Sequence, residues 1–303
     1  MRDVNWGRPL QEFNGAVPPA PQWFKNAVEA PFESGFVEAE GSSVEYRAWG
    51  ERGKPGLLFF HGNAAHLGWW SFLAPFFAAD HRVVALSLSG MGASGWRERG
   101  YSIEHFVAEG FAAGEAGGAF SAGPPVLVGH SLGGLPVLRA AAARPGQVRA
   151  GIIVDCALPT PELIPDAQRG VRHRNYSDLP TALSRFRLSP LQPCENPYIA
   201  DFLARMALKQ LDDGSWTWRF DPSLWGGVDL GDPWGDLATA QPPLAFVRGA
   251  LSDLTGGMMA ERLRAEVRPG TPLIDIPEAH HHVMVDQPLA LVACLRSLLA
   301  AWA

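Results

Sequence analysis

The sequence predicts an α/β protein with a mostly parallel central sheet flanked by helices and an inserted, mainly helical cap. Three observations predict it. Short apolar runs such as "GLLFFHG", "RVVALSLSG", "PPVLVGH" and "GIIVD" read as strands buried on both faces. Segments of helical periodicity alternate with these runs, as a parallel sheet covered on two sides requires. The alternation stops over residues 158–241 and then resumes, so that stretch reads as an insertion at the sheet edge where open α/β folds bind ligands.

Residues 1–32 are rich in proline and aromatic residues and read as an irregular arm wrapping the body. "GFVEAEGSSVEYRAWG" alternates around a turn and predicts a β-hairpin. "GLLFFHG" follows as a buried strand, then a helix through "GWWSFLAPFFAA", then the strand "RVVALSLSG" with a glycine-rich loop after it. "SIEHFVAEGFAAGEAGGAF" is helical text weakened by glycines, and "PPVLVGHSLGG" is a strand entering a sharp turn. "LPVLRAAAARP" is a helix and "VRAGIIVDCA" a further strand, which closes the first part of the core at residues 33–157. The insertion is dense in aromatics: Trp216, Trp218, Phe220, Trp225 and Trp234. Residues 242–303 resume the rhythm with the strand "LAFVRG", a helix near "GMMAERLRAEV", the strand "TPLIDIP" and the helix "LALVACLRSLLAAW".

Composition narrows the function classes. In 303 residues the 25 Lys and Arg against 31 Asp and Glu give a net charge of −6, with no basic run, which argues against nucleic acid or an anionic membrane surface as partner. Cys156, Cys194 and Cys294 lie far apart without a CxxC pair, so neither a disulfide framework nor a zinc ribbon is predicted. The N-terminus lacks the apolar core of a signal peptide, and no run reaches the roughly 20 apolar residues of a membrane span. These features predict a soluble, cytoplasmic protein acting on a small molecule, and leave its oligomeric state open.

The chemistry is written in three places. Gly129-His130-Ser131-Leu132-Gly133 joins a strand to a helix through an abrupt turn, and its glycines let the backbones approach while Ser131 is held exposed above the sheet. A serine hydroxyl needs a base. The triplet His280, His281, His282 follows "TPLIDIP" at once. Three consecutive side chains diverge on regular backbone, so a metal site is not expected there. The base needs a carboxylate to fix its tautomer. Asp253 in "RGALSDLT" is the expected one, and Asp155 at the tip of "GIIVD" is its rival; Asp286 is expected to cap the last helix ahead of Pro288. The oxyanion donors are expected to be the backbone amides of Leu132 and of Asn63, in the turn after "LLFFHG". His61 reads as a packing residue of that turn and His66 as a helix-start residue. Trp69, Trp70, Trp216 and Trp218 are expected to line the substrate pocket, with core packing as the alternative for each.

On "HGN" at 61–63, "GHSLGG" at 129–134, "RGALSD" at 248–253 and "AHHHVMVDQP" at 279–288, the chain resembles the α/β-hydrolase fold superfamily from about Glu33 to its C-terminus. The resemblance implies the order Ser131, Asp253, His281, the base standing seven residues before Pro288 and His280, the reserve choice for the base, taking a place usually held by glycine. It departs at "SLSGMGAS", where Ser87 stands in the usual place of aspartate. The implied activity is a serine hydrolase with no metal or organic cofactor, cleaving a carboxylic ester, lactone or thioester of an apolar or aromatic molecule. Hydrolysis of a carbon–carbon bond in a dicarbonyl is the alternative enzyme reading, cofactor-free haloperoxidase or perhydrolase activity a weaker one, and a ligand-binding protein without turnover the non-enzymatic one.

Overall fold

The computed structural model describes residues 7–159 and 174–302. Twelve strands are present among them: β1 (Glu33–Ala39), β2 (Ser42–Trp49), β3 (Gly56–Phe60), β4 (Arg82–Leu86), β5 (Tyr101–Ser102), β6 (Val126–His130), β7 (Ala150–Val154), β8 (Leu208–Gln210), β9 (Trp216–Trp218), β10 (Val228–Asp229), β11 (Leu244–Gly249) and β12 (Leu273–Ile276). Eight of them form one sheet in the order β1-β2-β4-β3-β6-β7-β11-β12. The predicted hairpin is β1–β2, turning at Glu40 and Gly41, both at positive φ, and β2 meets β4 antiparallel. Every pairing from β4 to β12 is parallel.

Strands β3, β4, β6 and β7 are buried at every position, which explains why, apart from Arg82 and His130 at two strand ends, they are apolar runs rather than alternating ones. Two apolar layers cover the sheet. One contains Phe59, Trp70, Phe72 and Leu295; the other contains Phe60, Phe106, Val137 and Phe246. The glycines that weaken the helical text of Ile103–Gly117 have a packing reason. A Cβ on Gly110 would overlap the Phe60 ring, and one on Gly117 would press on Val84, so this helix lies closer to the sheet than alanines would allow.

Several expectations are corrected. The N-terminal arm is not irregular throughout: Gln22–Val28 is a helix, and Phe24 packs against Tyr198 and Phe202 with ring centroids 4.9 and 5.7 Å apart. The arm therefore clasps the helix Pro197–Ala207 of the insertion. The helix expected through "GWWSFLAPFFAA" is only Gly68–Ser71, followed by a 3-10 turn Ala74–Phe76 that begins one residue before Pro75.

The insertion contains the helices Leu179–Leu183, Pro197–Ala207 and Pro233–Thr239 and the β8–β9 hairpin; residues 160–173 of it lie outside the described residues. Its later part returns to the core, where β10 pairs with β5 and Asp221 accepts a hydrogen bond from the Tyr101 hydroxyl at 2.6 Å. No helix among the described residues is long and apolar enough to cross a membrane.

Candidate active site

The site residues lie within five residues of the ends of parallel strands. Gly62 and Asn63 follow β3, Ser131 follows β6, Asp155 follows β7, Ser252 follows β11 and His281 follows β12. This is the carboxyl edge of the sheet, where loops of neighbouring strands converge. A cavity of about 390 Å³ opens here, lined by Asn63, Trp69, Ser131, Pro190, Leu254 and His281 among others. A comparable cavity of about 440 Å³ at the amino edge, lined by His81, Arg149 and Trp302, contains no nucleophile with a base beside it.

Ser131 has φ 52°, a left-handed conformation uncommon for a serine, at the junction of β6 with a 3-10 turn and the helix Gly134–Ala143. The flanking glycines make that junction possible. A Cβ on Gly129 would overlap the Gly133 carbonyl, and one on Gly133 would sit 2.5 Å from the His61 carbonyl oxygen. The sharp turn thus follows from local sequence: no larger residue fits at either position.

His281 is buried, and its Nδ1 donates to Asp155 Oδ1 at 2.8 Å. Nε2 is therefore the lone-pair nitrogen of the neutral ring. Asp155 is fully sequestered and accepts three further bonds: from the Gly249 amide at 2.7 Å, the Ser252 hydroxyl at 2.7 Å and the Thr255 hydroxyl at 3.2 Å. Four donors to one carboxylate keep its ionised form satisfied and fix its plane.

Asp253, expected to be the partner of His281, does not occupy that place. It is exposed, between the two residues whose hydroxyls hold Asp155. The turn "SDLT" contributes its hydroxyls, not its carboxylate. The signal that favours Asp155 is its position at the tip of β7, the neighbour of β11 in the sheet.

The other two histidines of the triplet go different ways. His280 turns outward, its amide donating to Asp286 Oδ2 at 2.7 Å and its Nδ1 to the same oxygen at 3.3 Å. Asp286 therefore holds the histidine loop and does not cap the last helix, whose first turn has no side-chain cap. Burial raises the Asp286 carboxyl above its ordinary value. His282 is buried against the Trp69 ring, centroids 5.0 Å apart, and faces the Ser189 and Pro190 backbone.

Burial holds four histidines neutral. His61 falls to about 3 and His66 to about 4, while His130 and His282 lie well below the ordinary value. His61 packs as expected: it donates from Nδ1 to the Gly62 carbonyl at 2.7 Å and accepts the Leu88 amide at Nε2. His66 accepts the Gly68 amide and donates to the Leu203 carbonyl at 3.0 Å, joining core to insertion. His130 was not expected to have a role, yet its Nε2 donates to the His281 carbonyl at 3.0 Å.

Of the expected pocket tryptophans, Trp69 lines the cavity. Trp70 does not: it is fully buried, stacked 4.7 Å from Phe59, with its indole N–H on the Phe60 carbonyl. Trp216 and Trp218 lie on β9 against Tyr176 and Phe186 and are not among the lining residues of this cavity. Asn63 lines it and buries a side-chain oxygen without a partner; Leu132 follows Ser131 and is half-buried. Ser87, standing where the superfamily usually has aspartate, accepts the Leu67 amide and donates to Glu45 Oε2 at 2.8 Å. Glu45 on β2 thus supplies a carboxylate to the loop from the neighbouring strand.

A parallel sheet that presents a left-handed serine and a buried histidine on one cavity, with a carboxylate behind the histidine, is the architecture of hydrolases of the α/β type. A model of the alpha/beta hydrolase family matches residues 57–293, and the chain belongs to that family. It is 25% identical to the esterase Rv0045c of Mycobacterium tuberculosis over 287 residues, covering 91% of this chain and 93% of the relative. A solved structure of that esterase, described in connection with its inhibition by transition metals, matches at a TM-score of 0.67 and 21% identity, covering 96% of this chain and 97% of that one. E-2-(acetamidomethylene)succinate hydrolase matches at a TM-score of 0.73 and 22% identity, covering 89% and 100%. Family and relatives support hydrolase activity broadly.

Proposed function

We propose that the chain is a serine hydrolase that cleaves a carboxylic ester, lactone or thioester of an apolar or aromatic small molecule through an acyl-enzyme. The observation that carries this reading is the 2.8 Å bond from His281 to a sequestered Asp155, on the cavity that Ser131 enters from its left-handed turn. His281 Nε2 takes the proton as Ser131 Oγ forms a bond to the substrate carbonyl carbon. The Asn63 and Leu132 amides receive the developing oxyanion. The protonated ring then gives its proton to the leaving oxygen or sulfur as that bond breaks. His281 next takes a proton from water, whose oxygen adds to the acyl carbon, and returns that proton to Ser131 as the acid departs. Asp155 holds the Nδ1 proton throughout and stabilises the imidazolium. Residues 33–157 and 242–303 form the catalytic core in this reading, with residues 158–241 as its cap. Trp69, Pro190 and Leu254 supply the apolar wall that favours such acyl groups.

A fluorophosphonate probe tests the nucleophile and a panel of p-nitrophenyl esters, thioesters, lactones and a vinylogous diketone tests the bond. Labelling of wild type but not Ser131→Ala, with ester turnover lost in the variant, is the expected result. Turnover surviving in Ser131→Ala would overturn it.

A further inference from the structure

The loop after β11 touches both His281's own loop and the carboxylate behind His281. Its backbone is bound to the histidine loop: the Ala250 amide donates to the Ile276 carbonyl at 2.9 Å, and the Leu251 amide to the Ala279 carbonyl at 2.8 Å. Gly249 lies so close that a Cβ there would overlap the Ala279 and His280 carbonyls. The remaining donors of this loop reach Asp155, which takes two on each oxygen. His281 Nδ1 and the Ser252 hydroxyl share Oδ1, while the Gly249 amide and the Thr255 hydroxyl share Oδ2.

Two buried hydroxyls in this place call for a reason, since burying a hydroxyl is unfavourable unless it is bonded. Neither Ser252 nor Thr255 is among the residues lining the cavity, so neither meets substrate directly. Both are fixed from outside the site. Arg248 donates to the Thr255 carbonyl at 3.3 Å and is itself held by Asp275 through bonds of 2.6 and 3.0 Å. The Ser252 amide closes a turn onto the Gly249 carbonyl at 3.0 Å. The hydroxyls therefore stand ready at Asp155 and need no reorganisation when charge develops on His281.

We infer that Ser252 and Thr255 are positioning residues that set how strongly Asp155 stabilises the protonated form of His281. This rests on the reading of Ser131 as nucleophile, His281 as base and Asp155 as acid. A donor on a carboxylate takes up part of its charge and leaves less of it to stabilise the imidazolium. The ring thus stays able to accept the Ser131 proton at lower pH. Ser252, at 2.7 Å on the oxygen that His281 uses, acts more strongly than Thr255, at 3.2 Å on the other one. The titratable groups around the ring are His130 and His282, with centroids 4.8 and 4.7 Å away, both held neutral by burial. Around Asp155 they are Arg248, whose charge interacts with it, and the Cys156 thiol, which burial pushes up.

The test uses the full chain and ester hydrolysis over the pH range in which circular dichroism shows each variant folded. Ser252→Ala should lower kcat about tenfold, with KM within about twofold. It should also move the acid limb of kcat/KM up by about half a pH unit. Thr255→Val, of the same shape without the hydroxyl, should act in the same direction but less. Thr255→Ser, which keeps the hydroxyl, should recover most of that loss. Proton NMR in the Ser131→Ala background gives a readout without turnover. The low-field resonance of the Nδ1 proton between His281 and Asp155, recognised by its absence in His281→Gln, should shift in Ser252→Ala and stay in place in Thr255→Ser. An unmoved acid limb in folded Ser252→Ala overturns the inference, as do equal losses in Thr255→Val and Thr255→Ser, which would mean packing alone. Turnover surviving in Ser131→Ala would instead remove the hydrolase reading and leave a shifted resonance standing.

Discussion

Gln192 and Asp286 lock the insertion onto the histidine loop. The amide nitrogen of Gln192 stands 2.9 Å from each carboxylate oxygen of Asp286, while its side-chain oxygen accepts the His282 amide at 2.9 Å. Asn196 adds bonds to the Val285 and Asp286 carbonyls. Replacing Gln192 by leucine leaves the His282 amide and the carboxylate without these partners. The variant should lose about 1–3 kcal/mol of stability, read as a lower urea midpoint. An unchanged midpoint would show that the clamp contributes nothing.

Two carboxylates compete for one role, and their variants separate them. Asp155→Asn keeps the shape but lets the side chain donate toward Nδ1, favouring the wrong His281 tautomer; kcat should fall by about 10⁴. Asp253→Asn alters an exposed side chain and should stay within about threefold of wild type, because surface changes away from special features shift energies by only about 0.5 kcal/mol. Steady-state ester hydrolysis by both variants, measured side by side, decides the assignment.

The Ser131 turn should tolerate no added methyl group. Gly133→Ala places its Cβ against the His61 and Phe60 carbonyls, which belong to a buried strand end and cannot move aside cheaply. Overpacking of this kind costs roughly 1–3 kcal/mol or more. Thermal unfolding should show a lowered midpoint, and the displaced Ser131 should label slowly with a fluorophosphonate.

Stability should decline on mild acidification, before carboxylates titrate. His61, His66, His130 and His282 have folded-state values depressed by burial, to about 3 and about 4 for the first two. Their unfolded values lie near 6.5, so below that pH the unfolded chain binds protons that the folded chain refuses. The stabilisation is complete above about pH 6.5 and erodes by roughly 1.4 kcal/mol per pH unit for each such group as pH falls toward 5. Urea midpoints at pH 7.5, 6.5 and 5.5 check the sign. Asp286, raised by burial, pulls the other way only where carboxyl groups begin to protonate.

Much of this was legible because the sheet writes itself locally. Strands β3, β4, β6 and β7 are buried on both faces, and between Arg82 and His130 at the ends of β4 and β6 their positions hold only apolar residues and glycine. The Ser131 turn was legible because its glycines answer a contact only a few residues away. Asp155 was harder to choose over Asp253, since the choice depends on which strand tip faces His281 across the sheet, a relation without a sequence spacing. Trp70 failed as a pocket residue for a similar reason: Trp69 and Trp70 read alike, and only the Phe59 and Phe60 contacts show which one turns inward. The arm helix Gln22–Val28 was hidden because its partners, Tyr198 and Phe202, lie in a distant segment.

The grip of His130 on the His281 carbonyl has a mechanical consequence. One residue immediately precedes Ser131 and at the same time tethers the loop of His281, so thermal wandering of either is shared by both. Their separation is buffered against motions that shift the whole rim of the pocket, and a guest that pushes on that rim meets a pair that yields together instead of coming apart.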